Sequence, residues 1–169
     1  MGSVMITFRP MQSNEFSAYS NYFIADYADE ISANFGHTLE QSRVIASKEL
    51  AEDLPQNVAT PDNYLLCIEQ NENITIGYLW YKVYDDGATA FILDFVVFKE
   101  FRRQGHGKAA LIALENQLAQ SGTKQIKLRV AYKNEKAKQL YEKVGFNITG
   151  INMSKLLDTP TANLKKVPS

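Results

Sequence analysis

The sequence predicts a mixed α/β domain: a strongly twisted, mostly antiparallel sheet with helices on both faces. Three observations carry that expectation. A short β-rich run at the N-terminus is followed by two stretches of helical periodicity. Three strand-like runs then follow one another across short polar turns, the pattern of an antiparallel meander. Beyond them helix, strand and helix alternate, and the third run of the meander is apolar on both faces, as a strand covered from both sides must be.

Taken in order, Val4 to Phe8 forms the opening strand, closed by Arg9-Pro10. Ser13, Glu15 and Phe16 mark a helix start, and Phe16, Tyr19, Phe23 and Tyr27 fall on one helical stripe that Gly36 ends. Thr38 caps a second helix over Leu39 to Leu54, stopped by Pro55. The meander comprises Tyr64 to Glu69, a turn at Asn71-Glu72-Asn73, Ile74 to Val83, a turn at Asp85-Asp86-Gly87, and Thr89 to Phe98. Ala110, Leu111, Leu114 and Leu118 make a helical stripe ending at Ser121-Gly122, Ile126 to Val130 alternates as a strand, and Ala137, Leu140, Tyr141 and Val144 mark a last helix before Gly145. Phe146 to Met153 is expected to form a final strand. Residues 1–157 read as one domain and 158–169 as a flexible tail, while Met1-Gly2-Ser3 has the look of an added leader before Met5.

Composition narrows the partners. With 18 basic and 19 acidic residues in 169, the chain lacks the positive surplus that nucleic acid or a membrane surface demands. No apolar run is long enough to span a bilayer and no signal-peptide pattern is present, so a cytoplasmic location is expected. Two histidines and one cysteine without ligand spacing give no reason to expect a metal, and Cys67, inside an apolar run, reads as a buried strand residue.

The chemistry gathers at Arg102-Arg103-Gln104-Gly105-His106-Gly107-Lys108, between the doubly apolar strand and a helix. Free N–H groups at a helix start attract anions, and glycines let a phosphate approach. Alone, the stretch reads equally as a phosphate cradle or as an ordinary glycine turn with a solvated basic face. It is neither G-x-x-x-x-G-K-[ST] nor G-x-G-x-x-G, which counts against nucleotide-hydrolase and dinucleotide sites.

A second segment adds to it. Asn134 to Phe146 resembles the N-x-x-A-x-x-L-Y-E-K-x-G-F signature of GNAT superfamily N-acetyltransferases, and Arg102, Gly105 and Gly107 match that family's [R/Q]-x-x-G-x-[G/A] loop in the family order. The resemblance runs from about Ile6 to Met153 and is most specific over residues 90–146. It implies a sheet whose central strands splay to admit acetyl-coenzyme A as co-substrate. It further implies that Phe95, Val96 and Val97 hold the pantetheine arm through main-chain bonds, that Arg102, Arg103, Gln104, Gly105, His106, Gly107 and Lys108 surround the pyrophosphate, and that Asn134 and Ala137 contact the arm. Tyr141 matches the tyrosine that protonates the departing thiolate in many members; its place on the Ala137/Val144 stripe gives a core tyrosine as the alternative.

Asp94 interrupts the apolar strand. A carboxylate there can take a proton from an acceptor amine, directly or through water, or it can serve as a buried acceptor for loop N–H groups or an arginine. The expected reaction is direct transfer of acetyl to a primary amine of a small molecule or a protein. A non-catalytic acyl-coenzyme A sensor is the alternative, and a homodimer through the last strands is common among proteins of this kind. His37, Tyr22, Tyr27 and Trp80 are either acceptor-pocket residues or ordinary surface and core; Asp26, Asp29, Glu30, Asp85 and Asp86 are either amine-binding or solvated.

Overall fold

The computed structural model describes residues 5–71 and 73–158. The leader Met1-Gly2-Ser3, Val4, Glu72 and the tail beyond Asp158 lie outside the described residues. The elements follow in the order β1 (Ile6–Pro10), α1 (Phe16–Phe35), α2 (Leu39–Asp53), β2 (Asn63–Gln70), β3 (Ile74–Tyr84), β4 (Thr89–Val97), α3 (His106–Gln120), β5 (Gln125–Leu128) and α4 (Glu135–Lys143).

Local signals set most boundaries. A 3-10 turn, Ser13–Glu15, leads into α1; the Glu15 carboxylate accepts the Gln12 N–H at 2.9 Å and the Arg9 guanidinium at 2.7 Å, tying the turn to β1. Gly36 ends α1 in the left-handed region at φ 69°, where a side chain would be strained. Thr38 and Gln41 cap α2 reciprocally, each side chain accepting the other's N–H at 3.1 Å. β1 ends at Pro10, as expected, with that residue still paired with Leu66; β1 lies at the sheet edge, where a missing donor is tolerated.

The five strands stand in the order β1-β2-β3-β4-β5, antiparallel except for the parallel β4–β5 pair. One face carries Leu65, Cys67 and Trp80 against Tyr19 of α1 and Leu50 of α2. The other carries Leu66, Ile68, Leu79, Tyr81, Ala90 and Ile92 against Ala110, Leu111, Leu114 and Leu118 of α3, with Leu140 and Val144 of α4 alongside. The alternation along β2 (65 and 67 one way, 66 and 68 the other) is the two-residue period of a strand buried on both faces.

Two expectations fail at the far edge. The strand predicted to reach Val130 stops at Leu128, and no strand forms over Phe146 to Met153. Ile148, Ile151 and Met153 are 62%, 65% and 92% exposed. β5 offers only four residues to pair with, and Gly150 sits inside the run, where glycine weakens a strand. A groove of about 1080 Å³ therefore runs along the outer side of β5, between α3 and the segment 145–154.

Candidate active site

β4 is where the fold departs from regular pairing. Along β3 it is bonded from Thr89 to Val97, but β5 accompanies it only from Thr89 to Ile92, so Leu93 to Val97 have β3 on one side and no β5 on the other. The β3–β4 register shifts between Trp80 and Tyr81: Ile92 faces Tyr81 and Asp94 faces Trp80, leaving Leu93 as a bulge. That extra residue changes which way the strand points. Ala90 and Ile92 belong to the α3 face; continued alternation would send residue 94 there too. With the bulge, Leu93 packs into the α1-side cluster, Phe95 joins the α3 face, and Asp94 meets α1.

Asp94 is largely buried with residual access. Its Oδ2 accepts the Tyr19 hydroxyl at 2.8 Å, and the Phe95 N–H lies near enough to favour the charged carboxylate. Burial pushes its pKa up to about 7, with the Tyr19 hydrogen bond working against that rise and Asp26 on α1 adding to it. Tyr22 is half-buried beside it, its hydroxyl pushed up first by burial and next by the Asp94 charge.

Tyr141, on α4, packs edge-on to Phe146 at 5.7 Å between ring centres and lines the groove outside β5. Burial raises its pKa to about 12, and the Asp94 carboxylate lies near enough to add to the rise. The Tyr141 ring packs against the α3-face core. None of residues 93–108 lines the large groove, which is a consequence of the missing last strand rather than part of this cleft.

The glycine loop divides by role. Gly105 has φ 80°, and a Cβ there would meet nothing within 4 Å, so the left-handed turn is what demands glycine and the space above it is open. No side chain caps the α3 N-terminus, which leaves first-turn N–H groups for an anion. At Gly107 a Cβ would lie 3.2 Å from Leu140 Cδ2: this glycine lets α3 approach α4. His106 is buried, its ring edge-on to Phe101 and within 3.2 Å of the Gln104 side-chain oxygen, so its imidazole is a packing group. Arg102, Arg103 and Lys108 are all exposed; Arg102 donates from Nε to the Val97 carbonyl at 2.8 Å, and its charge reaches Tyr22 and Asp26 on α1. Asn134 caps α4, its Oδ1 accepting the Ala137 N–H at 3.2 Å.

The structure decides several open residues. Trp80 is buried and donates to Asn63 at 2.9 Å, a core role. His37 lines a cavity of about 270 Å³ with Tyr27, Glu30, Glu49 and Arg129, where Tyr27 donates to Glu49 at 2.6 Å and Arg129 approaches Glu30 at 3.7 Å. Asp85 and Asp86 are exposed in the β3–β4 turn. Sequence reasoning treated Tyr19 as a stripe residue and missed its hydroxyl. The available signal was complementarity: a tyrosine on a buried stripe needs an acceptor, and a carboxylate in an apolar strand needs a donor.

Residues 21–146 match the acetyltransferase (GNAT) family. The uncharacterised N-acetyltransferase YycN of Bacillus subtilis (strain 168) is 34% identical over 158 residues, which span 92% of this chain and 99% of the relative. The crystal structure of putative acetyltransferase YycN from the same organism superposes with a TM-score of 0.86 at 31% identity, covering 92% of this chain and all of that one. A more distant likeness, in fold alone, is the aminoglycoside acetyltransferase AAC(6')-Iy in complex with a coenzyme A bisubstrate analogue, with a TM-score of 0.54 at 13% identity over 92% of this chain and 99% of that one.

Proposed function

The chain belongs to the acetyltransferase (GNAT) family, and on that premise we propose that it carries acetyl from acetyl-coenzyme A directly to a primary amine, with Asp94 as base and Tyr141 as acid. One observation carries the reading: a carboxylate of raised pKa and a protonated phenol stand near each other at the half of β4 that lacks β5. The open edge from Leu93 to Val97 suits an extended amide-bearing arm, which would pair with main-chain groups of Phe95, Val96 and Val97 as a neighbouring strand does. The open turn at Gly105 and the uncapped start of α3 suit a pyrophosphate, with Arg103, Gln104 and Lys108 around it. Asn134 and Ala137 would border the arm from the start of α4.

The proton path closes. An aliphatic amine has a pKa of about 10.4 and arrives as an ammonium ion. Asp94, directly or through one water, takes its first proton; at about 7 its basicity suits a reaction run near neutrality. The freed nitrogen lone pair forms a bond to the thioester carbonyl carbon, and a main-chain N–H near Val97 stabilises the oxyanion. As the C–S bond breaks, Tyr141 gives its proton to sulfur. With a pKa of about 12, Tyr141 is not left as tyrosinate: the second proton shed by the nitrogen returns to it. The products are an acetamide, coenzyme A thiol and one net proton. Arg102, held by the Val97 carbonyl beside Tyr22 and Asp26, borders the acceptor side.

The test is thiol release from acetyl-coenzyme A with a panel comprising a diamine, an amino sugar, and peptides bearing a free α-amino group or a lysine. Alongside it, thermal unfolding is run with acetyl-coenzyme A, ATP or NAD. The reading requires a rise of a few degrees with acetyl-coenzyme A alone and turnover with at least one amine. Binding without turnover for any amine would instead assign an acyl-coenzyme A sensor, and stabilisation by ATP alone would remove the cradle.

A further inference from the structure

Asp94 is held from the helix that covers its face of the sheet, by a residue 75 positions earlier in the chain. Tyr19 is fully buried on α1. Its ring is fixed by Phe16, Tyr22 and Phe23 of its own helix, at 6.1–6.4 Å between centres, and by Tyr78 of β3, edge-on at 5.0 Å. A tyrosine so enclosed has one place for its hydroxyl, and that place is Asp94 Oδ2 at 2.8 Å. We infer that Tyr19 is the positioning residue for Asp94, fixing which carboxylate oxygen meets the substrate and how readily that oxygen takes a proton.

The inference rests on the reading of Asp94 as the base and has two parts. With Oδ2 engaged by Tyr19, Oδ1 is the oxygen that Tyr19 leaves to face an incoming amine. A donated hydrogen bond also favours the carboxylate over the acid, so Tyr19 opposes the burial that drives Asp94 upward. Without that hydroxyl, the same apolar surroundings would keep Asp94 protonated, and useless as a base, further into the alkaline range. The groups facing Asp94 are Tyr19, Tyr22 and Asp26 on α1, Tyr78 and Trp80 on β3, the Phe95 N–H on β4 and Tyr141 on α4; Arg102 stands beyond Tyr22. Asp26 is the charged member that acts on Asp94, and it pushes its pKa in the same direction as burial. Tyr19 and the Phe95 N–H are the groups that pull it down.

The decisive measurement needs no acceptor. Carboxyl carbon resonances of the ligand-free, isotopically labelled protein are followed through pH 4 to 10, with Asp94→Asn assigning the Asp94 signal. The wild-type midpoint is expected at about 7, and Tyr19→Phe, which keeps the ring, is expected to raise it by about one pH unit. An unchanged midpoint in Tyr19→Phe overturns the inference. Should Tyr19→Phe fail to fold, 3-fluorotyrosine placed at position 19 alone keeps the ring and makes a stronger donor; the midpoint must then fall, and a midpoint that stays or rises overturns the inference. Thiol-release profiles against pH separate the two layers of the argument. If Asp94→Asn is inactive while the acid limb of Tyr19→Phe coincides with wild type, the role of Tyr19 falls and the base reading stands. If Asp94→Asn turns over as fast as wild type, the base reading falls and takes the role of Tyr19 with it. Agreement between a shifted limb and a shifted midpoint supports both.

Discussion

β4 is one strand with two unlike halves. From Thr89 to Ile92 it is bonded on both sides, by β3 and by β5, and Ala90 and Ile92 lie in the core formed with α3. From Leu93 to Val97 it keeps β3 alone, carries the bulge, and holds the carboxylate. The first half continues the regular sheet; the second half departs from it, with a bulge, a largely buried carboxylate and β3 as its strand neighbour. The difference teaches that one strand can place regular two-sided pairing and a largely buried carboxylate side by side, with the boundary at the single inserted residue Leu93.

That division is open to experiment from both sides. The largest expected effect is on catalysis in the second half: Asp94→Asn should slow thiol release by about 100- to 10,000-fold at pH 8, the range spanned by a positioned base. The same variant should become more stable. Because the folded-state pKa of about 7 lies above the unfolded value, the contribution of Asp94 to stability is greatest below the unfolded pKa and declines as pH rises through 7. Removing the charge should therefore raise the unfolding free energy by up to about 4 kcal/mol at pH 8, with the gain shrinking toward pH 5. Denaturant melts at the two pH values would show it, and a gain that grows on acidification would contradict the assigned direction.

In the first half the signs reverse. Ile92→Ala, at a buried position, should lose about 3 kcal/mol of stability in urea unfolding while leaving the acid limb of the rate profile in place. A moved limb would mean that the two halves are not separable. The smallest effect sharpens the comparison from α4: Tyr141→Phe should lower kcat about a hundredfold with the KM for acetyl-coenzyme A unchanged, since the ring and its contact with Phe146 survive. An increase in KM with kcat preserved would make Tyr141 a packing residue only.

How much of this the sequence carries depends on the range of each determinant. The Thr38 cap, the Gly36 stop and the two-faced alternation of β2 are consequences of residues a few positions apart, and they are legible. Asp94 was legible as an anomaly, a carboxylate in an apolar run. Its direction was not, because parity from Ala90 and Ile92 assigns it to the wrong face, and only the bulge opposite Trp80 and Tyr81 corrects it. Tyr19 and Asp94 are joined across 75 residues, beyond any spacing rule. The predicted last strand failed for a related reason: residues 146–153 have strand-like apolar content, but pairing depends on the length of the neighbouring edge, and β5 is four residues long.

The unpaired half of β4 has a consequence for the lifetime of the chain in a cell. It is a sheet edge placed inside the molecule, and main-chain groups left free at an edge accept a stray strand from another chain as readily as a ligand. With acetyl-coenzyme A lying along Leu93 to Val97 as proposed, that surface is covered, and a ligand that binds only the folded form lowers the fraction of molecules open to proteases and aggregation.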